Sequence, residues 1–349
     1  MRALVIAVTL ASLLAGTAPA RAEIKLPPGF TSDVYVTAEG FDASTTRGVR
    51  GIPSASTMAF DPDGALYVAR TGRRYMGGEV EDIWPVYRFP LGGVRFTPKT
   101  ERQYFYGPPL PNAQIAAVRG RDLFVTTYDR DRRIGVLYRI ADGRAELVAG
   151  GTPETGVPAL LRQPEGAVAD RAGHLYVADR GQAGIVRLDA TGRVVDPHWF
   201  PVLRPRVLAI DRADRLWIGA DGVAEAPWQR GPGEIWCVKP DGTSSLVLRG
   251  PVTAGLVFGP GEHPWVADRQ NGKIFILTPE GRRVDFASYA DGDGPRGIAF
   301  APDTPATRKA GIAGDLFVIT IHRGAWPVNA IMRITGPFEE FLRGNVPGP

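Results

Sequence analysis

The sequence predicts an all-β chain folded as a six-bladed β-propeller with four antiparallel strands per blade, and three observations predict it. A strand of the form Leu-aromatic-Val recurs six times: Leu66-Tyr67-Val68-Ala69, Leu123-Phe124-Val125-Thr126, Leu175-Tyr176-Val177-Ala178, Leu216-Trp217-Ile218-Gly219, Pro264-Trp265-Val266-Ala267 and Leu316-Phe317-Val318-Ile319. The copies lie 57, 52, 41, 48 and 52 residues apart, a blade's period. Gly and Pro, 43 and 31 of 349 residues, interrupt nearly every window long enough for a helix. A pair of β-sandwiches would not need so regular a repeat.

The elements of one copy follow in order. A turn precedes the recurring strand, as in Asp61-Pro62-Asp63-Gly64, Asp170-Arg171-Ala172-Gly173, Asp211-Arg212-Ala213-Asp214 and Gly259-Pro260-Gly261-Glu262. These residues tolerate tight or left-handed backbone between two apolar runs. A third strand follows, for example Val86-Tyr87-Arg88-Phe89, Ile185-Val186-Arg187-Leu188 and Ile331-Met332-Arg333-Ile334. Turns such as Ala141-Asp142-Gly143 and Pro240-Asp241-Gly242 then lead to a weaker fourth strand, as at Ser245–Leu248 or Arg283–Phe286. Closing the ring requires the two ends to meet, and residues 30–38 and 338–342 are the candidate closing strands.

Residues 1–22 read as a cleaved leader. Arg2 precedes an apolar stretch over 3–16 that is short for a membrane span, and Ala20-Arg21-Ala22 fits small-x-small cleavage. The expectation is an exported protein, periplasmic or secreted, with the propeller over 23–349. Loss of Arg2 and Arg21 with the leader takes the formal charge from +4 to +2. That near-balance argues against a nucleic-acid binder, and no other run is apolar enough to cross a bilayer. The single cysteine, Cys237, excludes an internal disulfide and any Cys-based metal site.

Propellers carry function on the loops at one mouth of the central channel. The loop after the recurring strand and the segment before the first strand of each blade share that mouth. Arginines from at least five blades converge there: Arg70, Arg180, Arg206, Arg269, Arg296 and Arg323. Guanidinium forks match carboxylates and phosphates, so the partner expected is a small anionic or sugar-like ligand. The alternative is that they pair with neighbouring Asp179, Asp268 and Glu165 or face solvent. Trp326, Trp228 and Tyr128 offer a stacking wall, or simply rim packing. Glu165, Asp179 and Asp268 are candidate metal ligands, opposed by the surrounding arginines.

Of the four histidines, His174 and His263 fall in turns at the opposite end and His198 on an outer strand or loop. His322 alone falls on the proposed mouth and is the candidate general base, against the commoner structural role of a loop histidine. Gly292-Asp293-Gly294-Pro295-Arg296-Gly297 matches G-x-G-x-x-G but opens a blade strand, not a helix. Asp291 and Asp293 lack the oxygen ligands of a full Ca²⁺ loop.

Both ends resemble a known family. Ile24-Lys25-Leu26-Pro27-Pro28-Gly29-Phe30 with Val34-Tyr35-Val36, and Ser56–Gly64, resemble the opening of the soluble pyrroloquinoline-quinone (PQQ) glucose/sorbosone dehydrogenase-like propellers. Gly314-Asp315-Leu316-Phe317-Val318 with His322-Arg323-Gly324-Ala325-Trp326 resembles that family's G-x-x-F-V…H-G-S-W segment. Phe338-Glu339-Glu340-Phe341-Leu342 resembles its closing strand. The middle is equally similar to TolB-like, NHL-repeat and SMP-30-like gluconolactonase propellers. The resemblance implies a PQQ-dependent oxidoreductase acting on a sugar or alcohol. His322 would accept the proton; Arg206, Arg269, Arg296, Arg323 and Arg180 with Trp326 would hold the cofactor, and Ca²⁺ is a further implied ion. The family's catalytic His has no counterpart in Pro205–Ile210, and the Val252-Thr253-Ala254 region stands where the family has an Arg. Two other classes stay open: a non-catalytic ligand- or protein-binding propeller, and a metal-dependent SMP-30-like lactonase.

Overall fold

The computed structural model describes residues 24–41, 50–53, 55–70, 83–129, 132–151, 160–223, 231–278, 280–290, 294–321 and 328–346. It is a six-bladed β-propeller of four antiparallel strands per blade. Blade 1 holds strands Ala55–Phe60, Leu66–Arg70, Ile83–Phe89 and Phe105–Pro111; blade 2, Gln114–Arg119, Asp122–Asp129, Ile134–Ala141 and Arg144–Gly150. Blade 3 holds Pro164–Ala169, Leu175–Asp179, Gly184–Leu188 and Val194–Pro201; blade 4, Pro205–Ile210, Leu216–Ala220, Gly233–Val238 and Ser244–Gly250. Blade 5 holds Thr253–Phe258, Pro264–Asp268, Lys273–Leu277 and Arg283–Tyr289. Blade 6 holds Gly294–Phe300, Leu316–Ile321 and Val328–Thr335, and takes its fourth strand, Thr31–Ala38, from the other end of the chain. The first strand of each blade touches that of the next, from blade 1 round to blade 6 and back.

Closure is therefore made by one of the two expected segments. Thr31–Ala38 pairs antiparallel with Val328–Thr335, Val34 opposite Met332. Phe338–Asn345 is a helix, which corrects the expected closing strand. Its apolar residues Phe338, Phe341 and Leu342 fall at helical spacing, with Glu339, Glu340 and Arg343 between them. Phe338 and Phe341 pack edge-on against Phe30, at 4.9 and 5.9 Å between ring centres. Two further contacts tie the ends in. Ile24–Lys25 pairs with the outer strand of blade 5, and Val94–Phe96 leaves blade 1 to pair parallel with Thr31–Ala38.

Six apolar clusters fill the six gaps between blades. In blade 1, Leu66 and Val68 face the blade 6 gap, while Tyr67 and Ala69 face the blade 2 gap. Burial on both faces is why the recurring strand is continuously apolar and does not alternate. Its aromatic residue has a polar anchor in three blades. Tyr67, Tyr176 and Trp217 donate to Asp61, Asp170 and Asp211 at 3.4, 3.3 and 3.1 Å. Each Asp also accepts a backbone N–H across its turn, at 2.8, 2.8 and 2.9 Å. Blade 5 has Gly259 at that place, and the Trp265 indole nitrogen is buried without a hydrogen bond.

His174 sits in its turn with Nδ1 2.9 Å from Asp170 Oδ2, and His198 is exposed on the outer strand of blade 3. Residues 1–23 lie outside the described residues, and among those described no helix is long and apolar enough to cross a membrane.

Phe317 tests closure directly. It is fully buried and meets Tyr35 of the closing strand at 4.7 Å and Phe60 of blade 1 at 4.8 Å. Phe317→Ala should cost about 3–5 kcal/mol in urea unfolding at unchanged slope. A loss under about 1 kcal/mol would contradict this reading.

Candidate functional site

The first strand of every blade slips register near its start. In blade 3, Pro164 faces Asp179 but Ala167 faces Val177; in blade 4, Pro205 faces Ala220 but Val207 faces Gly219; in blade 6, Pro295 faces Thr320 but Ile298 faces Val318. Blades 1, 2 and 5 slip in the same way. A bulge takes a residue out of the alternation that points neighbours into the inter-blade gaps, and re-aims it. Thr57, Glu165, Arg206 and Arg296 lie in these bulges, and all four line the central channel. In blades 3 and 6 the bulge depends on a glycine. A Cβ on Gly166 would come within 2.8 Å of the Arg206 carbonyl, and one on Gly297 within 3.0 Å of the Ser56 carbonyl.

The channel encloses about 360 Å³. Its mouth is organised around Glu165, which is fully buried. Gln114 donates its amide N–H to Glu165 Oε2, and Thr126 donates its hydroxyl to the Glu165 carbonyl. Arg206 approaches Oε2 only at 3.4 Å, because its fork is committed elsewhere. Arg206 Nε lies 3.0 and 3.1 Å from the two Asp221 carboxylate oxygens, and Nη2 also donates to Oδ2. Arg180 of blade 3 reaches the same Asp221 Oδ2 at 2.5 Å. Blades 3 and 4 are thus cross-braced by Arg180–Asp221 and Arg206–Glu165.

The charges divide accordingly. Burial alone would raise the Asp221 carboxyl, but the Arg206 and Arg180 guanidiniums outweigh it and hold it below its ordinary value. At Glu165 burial wins, and its carboxyl is pushed above its ordinary value against the pull of Arg206. Arg206 itself is held firmly protonated by Asp221 and Glu165 despite its burial.

Arg296 is different. It lines the channel yet makes no hydrogen bond or ion pair with any described residue. Burial first, and then the positive charge of Arg206, push its guanidinium down to about 10, with Glu165 opposing. A guanidinium held this way carries unspent hydrogen-bonding capacity aimed into a cavity. Thr253, fully buried at the start of the blade 5 first strand, likewise has a hydroxyl without a partner.

The other expected site residues separate into groups. Arg269 lines the same cavity and has a partner of its own. Arg70 is drawn off to blade 1, 3.2 Å from Glu101 and with its guanidinium 4.0 Å over the Trp84 ring. Asp179 and Asp268 do not pair with the mouth arginines. Asp179 accepts the backbone N–H groups of Arg162, Gln163, Gly181 and Gln182 at 2.7–3.1 Å, plus the Gln182 amide at 2.8 Å. Asp268 accepts from Asn271 N at 3.2 Å and Nδ2 at 2.7 Å. The structure does not gather Glu165, Asp179 and Asp268, and no group of three potential metal ligands occurs among the described residues. Tyr128 is the next-to-last residue of its strand, and its carbonyl accepts from Asn112 at 2.9 Å. His322, Arg323, Trp326 and Trp228 lie outside the described residues. Sequence reasoning missed the roles of Asp221 and Glu101. Asp221 falls one place beyond the position of Asp179 and Asp268 in the repeat, so the alignment of blades hid it.

No protein-family model and no curated protein matches the chain. Solved structures do. It is similar to a putative gluconolactonase (14% identity, TM-score 0.55, 89% of this chain and 93% of that one). It is similar to the PQQ-bound form of an aldose sugar dehydrogenase from Streptomyces coelicolor (13%, 0.51, 89% and 100%) and to a streptogramin B lyase (12%, 0.52, 88% and 98%). At these identities the likeness is one of fold.

Asp221→Asn should leave two buried guanidiniums short of their carboxylate and cost about 3–5 kcal/mol at neutral pH. Because the folded state depresses this carboxyl, its contribution is complete above about pH 4 and fades as pH falls through the lower folded value. Urea unfolding of both proteins at neutral and acid pH checks this; a gap that widens on acidification would contradict it.

Proposed function

We propose that the channel mouth is a binding site for a small organic carboxylate, with Arg296 as its anchor. The observation that carries this is the Arg296 guanidinium, enclosed in the channel beside Arg206 and without a carboxylate among the described residues. An incoming carboxylate would supply both the two-pronged hydrogen bonding and the charge that the site lacks. The neighbouring cations are spent: Arg206 and Arg180 on Asp221, Arg70 on Glu101, while Arg269 has its own partner.

The same accounting bears on the cofactor that the chain's ends imply. PQQ presents three carboxylates, and the described residues offer one uncommitted guanidinium, so they fit it poorly. They fit a metal-dependent lactonase no better, because Asp179 is saturated by backbone donors and Glu165 faces Gln114 and Arg206. The ligand-binding reading is the one the geometry favours, and Glu165, with its raised carboxyl, is the group in the cavity able to exchange a proton with whatever binds.

Thermal shift and calorimetric titration with mono-, di- and tricarboxylates, PQQ and Ca²⁺ test this. A small carboxylate should stabilise the protein. Arg296→Gln should weaken its binding about tenfold or more, the loss of a charge-assisted hydrogen bond. The same variant should keep or raise the unliganded melting temperature, since it removes a cation that burial and Arg206 disfavour. Stabilisation by PQQ that survives Arg296→Gln, or by Ca²⁺ alone, would overturn the proposal.

A further inference from the structure

We infer that the ligand is an amphiphile: a carboxylate head at Arg296 and an apolar tail directed down the channel. This rests on the anion site proposed above and adds what lies beneath it. The cavity is divided by level. Ser56, Thr57, Gln114, Glu165, Arg206 and Arg296 are confined to the start of the first strands, and Arg269 to the turn above them. Beyond the bulges no described lining residue carries a polar side chain. The wall there is built from Met58, Phe60, Leu208, Leu256, Phe258 and Phe300, among other apolar residues.

The apolar part has depth and a fixed shape. From Arg296 to Phe300 the strand advances four residues, about 13 Å at the usual rise. Phe258, Phe300 and Phe60 sit at matching places on three consecutive first strands, those of blades 5, 6 and 1. Each ring is held edge-on by the aromatic residue of the preceding blade's second strand: Phe258 by Trp217 at 5.9 Å, Phe300 by Trp265 at 5.2 Å, Phe60 by Phe317 at 4.8 Å. A polyhydroxylated body such as a sugar acid would find no donor or acceptor side chain at this depth and would lose its hydrogen bonds to water. An aliphatic or aryl tail would gain by leaving water.

The experiment is a calorimetric titration of the full chain with butanoate, hexanoate and octanoate below micellar concentration, with gluconate and octanol as controls. Expected is one site per chain, with affinity rising about fourfold per added methylene until the channel is filled. Arg296→Gln should bring octanoate down toward octanol while the chain-length slope persists, which separates head from tail. A flat series, or gluconate binding as tightly as octanoate, would overturn the amphiphile and leave the anion site standing. Failure of every carboxylate to bind would overturn both.

Discussion

Closure of the ring is the constraint on which everything else depends. Each blade buries both of its faces, so none has a complete core until the sixth gap is filled. The chain meets this by lending Thr31–Ala38 to blade 6, where Tyr35 enters the last apolar cluster with Phe317 and Phe60. The hydrogen bonds of that single pairing join residues about three hundred positions apart, a costly loop to close and one repaid only by packing around the whole circle. A closed ring also fixes the width of the channel. A ligand site built on the first strands is preorganised by the scaffold.

Within that ring, function enters through the register slips. An ordinary residue of a first strand is committed to one inter-blade gap or the other, and a charge in either would be costly. The bulges release Glu165, Arg206 and Arg296 from this alternation and turn them to the channel. Once there the charges are unevenly matched. Asp221 draws Arg180 and Arg206 together, and this both braces blades 3 and 4 and leaves the contact between Arg206 and Glu165 long. Among the described residues, the surplus positive charge is left on Arg296. The uncommitted cation therefore follows from the bracing and does not stand alone as a feature of the sequence.

Much of the fold was legible in the sequence because its signal is local and repeated. All six Leu-aromatic-Val copies and the Asp-bearing turns lie where the structure has second strands and hairpins. Of the expected arginines, Arg206, Arg269 and Arg296 line the cavity, while Arg70 and Arg180 turn to Glu101 and Asp221. What was not legible is long-range. Whether Arg70 or Arg296 is neutralised depends on Glu101 and Asp221, whose places in the repeat give no hint of their partners. The bulges leave no mark beyond Gly166 and Gly297, which read equally well as ordinary strand breakers. The helix over Phe338–Asn345 has a local signal, the helical spacing of Phe338, Phe341 and Leu342, which competes with the segment's resemblance to a closing strand.

We propose Arg296 as an anion anchor inside the channel. The most direct test is a crystal structure of the protein soaked with a short bromine-labelled carboxylate, with the bromine located by anomalous scattering. The carboxylate is expected within hydrogen-bonding distance of the Arg296 guanidinium and the bromine below it, between Phe258, Phe300 and Phe60. A carboxylate seated on Arg180 or Arg206 in place of Asp221, or a bromine found only on the outer surface of the blades, would contradict it.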